Sequence, residues 1–168
     1  MISMIHINDA RISLQEIPSF PNLLMHIDLS SLNYVFQTKP LLIGGMAMQY
    51  YGLRKSGADI DFVLTPQDYE ALAKKYPEHR KDIFGDLGVC VELFELWRTI
   101  MLFDYDFLSL NALEEDTYKV ISLDRLLFLK ALGLSEPKYE RDLRLIVQKI
   151  TDIQYGKDQQ FGAGHFVG

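Results

Sequence analysis

The chain has 168 residues, 48% hydrophobic and 12% aromatic, enough for one packed domain and too apolar for a chain disordered throughout. A net charge of −6 and a pI near 5.2 exclude the broad basic face of a general nucleic-acid coat, though not a local basic patch. Cys90 is the single cysteine, so neither an intramolecular disulfide nor a thiolate-rich zinc site can form, as suits a reducing cytoplasm.

Residues 1–11 alternate apolar and polar and carry Asp9, which is not the plan of a secretory leader. No apolar run approaches the roughly 20 residues that span a bilayer, so no membrane partner is expected. Residues 2–17 alternate weakly, as in an edge strand or a loose lead-in. After Pro18 and Pro21, the side chains of Leu24, Ile27, Leu32, Val35 and Phe36 can share one face of a helix over residues 23–36, before Pro40 breaks it. Leu41-Leu42-Ile43 reads as a short buried strand that stops at Gly44-Gly45. Residues 46–51 predict a short helix ended by Gly52. Residues 59–64 predict a strand in which acidic and apolar residues alternate. Thr65-Pro66-Gln67-Asp68 is a helix start: Thr65 caps, Pro66 suits the first helical position and Asp68 completes a capping box. That helix is expected to reach Tyr76.

Residues 89–96 predict one strand, and residues 101–113 fit helix or strand equally. Residues 118–121 suit a short strand. Ser122 can cap a helix over residues 123–132, closed by Gly133, and Pro137 opens another through Ile150. The Gly- and Gln-rich end of the chain is expected to be loose. The plan is α+β: a small mixed sheet flanked by helices, with a helical C-terminal part. It divides into a lead-in at residues 1–40, a core at 41–122, helices at 123–152 and a tail at 153–168.

Chemistry concentrates in residues 42–64. In a strand, Asp59 and Asp61 project to one face while Ile60 and Phe62 turn to the core. Adjacent carboxylates repel, and a divalent cation relieves the repulsion. Magnesium takes oxygen ligands and keeps waters and substrate phosphates in its shell. An ordinary solvent-facing strand edge has the same pattern. Gly44 and Gly45 permit close backbone approach, and a helix behind them aims free N–H groups at an anion such as a triphosphate. An ordinary tight turn has that pattern too, so it is the combination that carries weight.

Ile43-Gly44-Gly45, then thirteen residues, then Asp59-Ile60-Asp61-Phe62 resembles the signature of the DNA polymerase beta-like nucleotidyltransferases. Ala47, Tyr51, Gly52 and Arg54 fall where small bacterial members carry a helix and an arginine loop. Lys119-Val120-Ile121-Ser122-Leu123, with Leu126, Leu127 and Lys130, is similar to their later helix. Pro137-Lys138 and Asp142-Leu143 are similar to their last helical motif. The likeness covers residues 41–150 and is to minimal members, including abortive-infection toxin-type proteins.

The resemblance implies a nucleoside triphosphate, one or two magnesium ions, and transfer of a nucleoside monophosphate to a hydroxyl on a tRNA end, a protein or a small molecule. It implies Gly44, Gly45, Arg54, Ser56, Lys130 and Lys138 as nucleotide-binding residues, although Lys130 and Lys138 read equally well as lysines whose stems pack while their heads reach water, and Arg54 as a solvated loop charge. It makes Asp59, Asp61 and a third carboxylate the catalytic and metal-ligating set. Glu92 and Glu95 compete for that third place. In one regular strand they face opposite ways, and Glu92 is expected because it lies deeper. Asp142 is expected to orient Lys138 or to serve helix electrostatics. Gly57 and Tyr139 depart from the family pattern, which often has a hydroxyl and an acidic residue at these places. The other reading is a catalytically degenerate nucleotide- or partner-binding protein of the same fold, or one half of a toxin–antitoxin pair with a cognate antitoxin. His6, His26, His79 and His165 show no metal-ligand spacing.

Overall fold

A computed structural model of the chain describes residues 26–156, so the edge strand read at residues 2–17 and most of the tail lie outside the described residues. The elements run β1 (Leu41–Leu42), α1 (Gly44–Tyr50), β2 (Ile60–Val63), α2 (Pro66–Lys75), β3 (Gly88–Val91), β4 (Phe94–Trp97), β5 (Thr99–Ile100), β6 (Phe103–Asp104), α3 (Tyr105–Leu108), β7 (Leu113–Glu114), β8 (Lys119–Val120), α4 (Leu123–Leu132) and α5 (Pro137–Gln154). Six strands form one mixed sheet in the order β3-β4-β2-β1-β8-β7, and β5 and β6 form a separate hairpin. The chain is therefore α+β, with helices around a small mixed sheet and two helices closing its C-terminal part.

Strand β1 lies inside the sheet, antiparallel to β2 and parallel to β8. Leu41 and Leu42 are both fully buried, which explains an apolar run without alternation. Phe62, Leu96, Val89 and Val120 are fully buried from neighbouring strands, and Leu126 and Ile146 come in from α4 and α5. Strand β2 runs parallel to β4, with Asp61 opposite Glu95.

Helix α2 starts as its sequence demands. Thr65 Oγ1 accepts from the Asp68 N–H at 3.4 Å, and Pro66 takes the first helical position. The Asp68 carboxylate takes the Thr65 hydroxyl and reaches beyond the helix. Fully buried, it accepts from the Tyr34 hydroxyl at 2.8 Å, the Gln37 N–H at 2.9 Å, the Thr38 N–H at 3.1 Å and the Thr65 hydroxyl at 3.0 Å.

That anchorage explains why the lead-in is not the expected helix. In the described part of residues 23–36 there is only one 3-10 turn, Ser30–Leu32. Asp28 takes the Ser30 N–H, Asn33 turns left-handed at φ 44°, and Asp68 holds the backbone at a bend at Gln37-Thr38. Val35, expected on the inner face, is 89% exposed.

Residues 89–96 are two strands, β3 and β4, joined by a two-residue turn at Glu92-Leu93. Residues 101–113 are neither one helix nor one strand. Met101 and Leu102 turn left-handed between β5 and β6, and Asp104 then caps the four-residue α3 by accepting from the Phe107 N–H. Helix α5 continues past Ile150 to Gln154, with Ile153 packed on the core.

Candidate active site

The site begins where β1 ends. Ile43 donates its N–H to the Asp61 carbonyl at 3.0 Å, so Gly44 starts its turn directly against β2. Gly44 has φ 65°, and a side-chain carbon there would collide with Asp61 Oδ2. Glycine is thus required twice, for backbone conformation and for space. Gly45 is under no such demand: a Cβ would make ordinary contacts, 3.6 Å from Ser56 Cβ and 3.8 Å from Arg54 Nη1. Those neighbours show the loop before β2 folding back over the start of α1. Ser56 secures the loop by donating its N–H to Gln49 Oε1 at 2.9 Å.

Asp61 is half-buried and sits in a crowd of negative charge. Burial, then Glu95, then Asp59 push its carboxyl up to about 6, against the pull of Lys130 and of Trp97. Cys90, Glu95 and Asp61 lie in register across β3, β4 and β2, so their side chains share one face. Burial and the Glu95 charge raise the Cys90 thiol, which keeps it protonated and a poor ligand.

Glu92 does not join this group. It occupies the β3–β4 turn, exposed, with φ 53°. The expectation that Glu92 lies deeper in the strand fails because the strand is broken there. The turn removes Glu92 from the sheet face and brings Glu95 beside Asp61. Lys81 meets Glu95 from the strand edge, Nζ to Oε1 at 2.9 Å, and this pairing raises the lysine's proton affinity. Asp59 is exposed immediately before β2.

Two cations, Arg54 and Lys130, gather on Asp142, and Lys130 acts on Asp61 as well. Asp142, 1% exposed, receives Arg54 through Nε at 2.6 Å and Nη2 at 2.8 Å, and Lys130 Nζ at 2.9 Å. Burial drives the Asp142 carboxyl up, but the Arg54 and Lys130 hydrogen bonds outweigh it and hold the group below its usual range. Burial pulls the Lys130 ammonium down, against Asp142 and Asp61. Asp142 therefore orients Arg54 and Lys130, not Lys138. Lys138 is exposed, 4.9 Å from the Tyr139 ring centroid, and Lys130 is 4.6 Å from the same centroid.

Gly44, Asp61, Glu95, Asp59 and the Arg54–Asp142–Lys130 network thus meet at one end of β2, with Gly45 against Ser56 and Arg54, and Glu92 in the exposed β3–β4 turn. The donors are carboxylate oxygens, the chemistry that hard divalent cations take. Among the described residues, no three His, Cys, Asp or Glu side chains converge into a ready-made metal cage. Sequence reasoning misses the Glu95–Lys81 pair and the role of Asp142. The first has a signal: apolar residues fall at 89 and 91, then at 94 and 96, a phase break that marks a two-residue turn.

No family model matches the chain, and no curated protein or solved structure matches it. No described helix is long and apolar enough to cross a membrane.

Proposed function

We propose that the chain is a cytoplasmic, magnesium-dependent nucleotidyltransferase that moves a nucleoside monophosphate from a nucleoside triphosphate to a hydroxyl acceptor. The observation that carries this reading is the meeting of Gly44, Asp61 and Glu95. A side chain is sterically forbidden just where a carboxylate stands, and two further acidic groups keep that carboxylate under repulsion. Such a cluster, only partly offset by Lys81 on Glu95 and by Lys130 near Asp61, suits a cation arriving with its own phosphate oxygens. The resemblance of Gly44-Gly45 and Asp59-Ile60-Asp61 to the DNA polymerase beta-like signature supports the same reading.

Bound there, magnesium would neutralise the triphosphate and stabilise charge on the attacking and leaving oxygens. Asp59 and Asp61 would hold it, with Glu95 in the third position. Gly44 lets the Asp61 carboxylate close against the turn, which sets it beside the start of α1, where the triphosphate would lie. In the reaction the acceptor oxygen forms a bond to the α-phosphorus, the bond to the bridging oxygen breaks, and pyrophosphate leaves. The hydroxyl proton passes to a Glu95 carboxylate oxygen. Arg54 and Lys130 are committed to Asp142, so they act on the site as a fixed positive wall, while Lys138, exposed over the Tyr139 ring that Lys130 also meets, is left for the triphosphate.

Pyrophosphate release from each of the four triphosphates, with tRNA, protein and small-alcohol acceptor pools, tests the proposal. Release that requires magnesium and is lost in Asp61→Asn is expected; turnover retained in that variant overturns it. The second reading, a degenerate partner-binding protein such as one member of a toxin–antitoxin pair, draws on the engagement of Glu95 by Lys81. It predicts no release with any acceptor, and capture of the cognate antitoxin by the unmodified chain.

A further inference from the structure

A second concave site lies elsewhere on the molecule, between α2, the segment after it and the end of β4. It is a cavity of about 280 Å³ whose lining includes Tyr69, Glu70, Lys74, Arg80, Leu87 and Arg98. It shares no residue with the Asp61 constellation. Three cations line it against one carboxylate, Glu70, in a chain whose net charge is −6. Among the described residues, Lys74 and Arg98 make no ion pair within the chain, and Arg80 has only the partly exposed Asp82, at 3.1 Å.

The floor of the cavity carries an anomaly. Tyr69 is 2% exposed, and its hydroxyl is buried without a hydrogen-bond partner. A buried phenol almost always finds one, because an unmet hydroxyl forfeits its hydration for nothing. Arg80 lies over the Tyr69 ring, 5.8 Å from its centroid, and is exposed. Tyr69 and Arg80 both line the cavity. Arg80 and Arg98 line the same cavity as the phenol, and their charges favour its ionised form, against burial and the Asp82 carboxylate.

From this arrangement we infer that the cavity is a phosphate-binding site, in which Arg80, Arg98 and Lys74 supply positive charge and the Tyr69 hydroxyl donates to a phosphate oxygen. Guanidinium groups match phosphate oxygens with paired N–H donors, and a hydroxyl fills a remaining oxygen. The ligand is either free phosphate or a phosphate ester. Such a site is independent of nucleotidyl transfer at Asp61.

Calorimetric and thermal-unfolding titrations with inorganic phosphate and with glycerol 3-phosphate test it on the full chain, Tyr69→Phe and Arg98→Gln. Tyr69→Phe removes one oxygen and keeps the ring, so its fold survives. Without ligand it should melt higher than wild type, because the orphaned hydroxyl is gone. Its phosphate affinity should nevertheless fall about tenfold, and that of Arg98→Gln at least as far. Tighter binding of the ester identifies a phosphate ester as the ligand; saturable binding of inorganic phosphate alone identifies free phosphate. Absence of saturable binding, or equal response of wild type and both variants, overturns the inference.

Discussion

Asp61 concentrates the conflict between stability and chemistry. Its carboxyl titrates at 3.8 in the unfolded chain and at about 6 in the fold. Between those values the native state holds the extra proton, so this group erodes stability as pH rises from about 4 to about 6. Above that window the full cost is present, at most on the order of 3 kcal/mol. Asp61→Asn should therefore stabilise the metal-free protein at pH 7 by about 1–3 kcal/mol, with the gain shrinking toward pH 4. Urea titrations in chelator across that range check the point, and a destabilised variant would contradict it.

Substitutions at three nearby residues act in the opposite sense. Gly44→Ala forces a Cβ into Asp61 at a left-handed φ, so a loss of about 2 kcal/mol or more is expected in the same titration. Gly45→Ala, which meets only ordinary contacts, should cost far less. Asp142→Ala strands the buried Lys130 and frees Arg54; breaking such a buried pair costs about 3–5 kcal/mol. Thermal unfolding of that variant should show it among the most damaging single changes in the molecule.

At the scale of elements, the β3–β4 hairpin decides which glutamate belongs to the site. Glu95→Gln should weaken magnesium-dependent triphosphate binding at least tenfold, while Glu92→Gln, in an exposed turn, should leave it unchanged. Equal effects in the two variants would remove Glu95 from its place beside Asp61. Short elements with local causes are legible in the sequence: the Leu41-Leu42 strand, the glycine stop, and the Thr65 cap with Pro66 behind it; the Asp59–Asp61 alternation is not, because β2 begins at Ile60 and leaves Asp59 outside it. The hairpin is harder because Glu92-Leu93 carries no glycine or asparagine, and Glu92 accepts a left-handed φ that its residue type does not announce. Over residues 23–36 an apolar stripe predicts a helix. What overrides that stripe is Asp68, some thirty residues further on, whose four partners no local pattern reveals.

At the scale of the whole molecule, charge is sorted within an acidic chain. Carboxylates crowd one end of β2, cations are bound behind them by Asp142, and a second basic group surrounds Tyr69. The long-range pairs Arg54–Asp142 and Lys130–Asp142 tie the C-terminal helices to the loop before β2, so the site depends on α4 and α5 as well as on the sheet. That dependence is only partly visible in sequence: Lys130 and Arg54 stand out as cations, yet their common partner lies in another helix.

The most direct measurement is calorimetric titration of the full chain with each of the four nucleoside triphosphates, with and without magnesium, on wild type and Asp59→Asn. Saturable binding that needs magnesium and disappears in the variant is the predicted result, and its base preference would point toward the acceptor. Absence of binding by every triphosphate, or binding indifferent to both magnesium and Asp59, would contradict the assignment of a magnesium-nucleotide site at Gly44, Asp61 and Glu95.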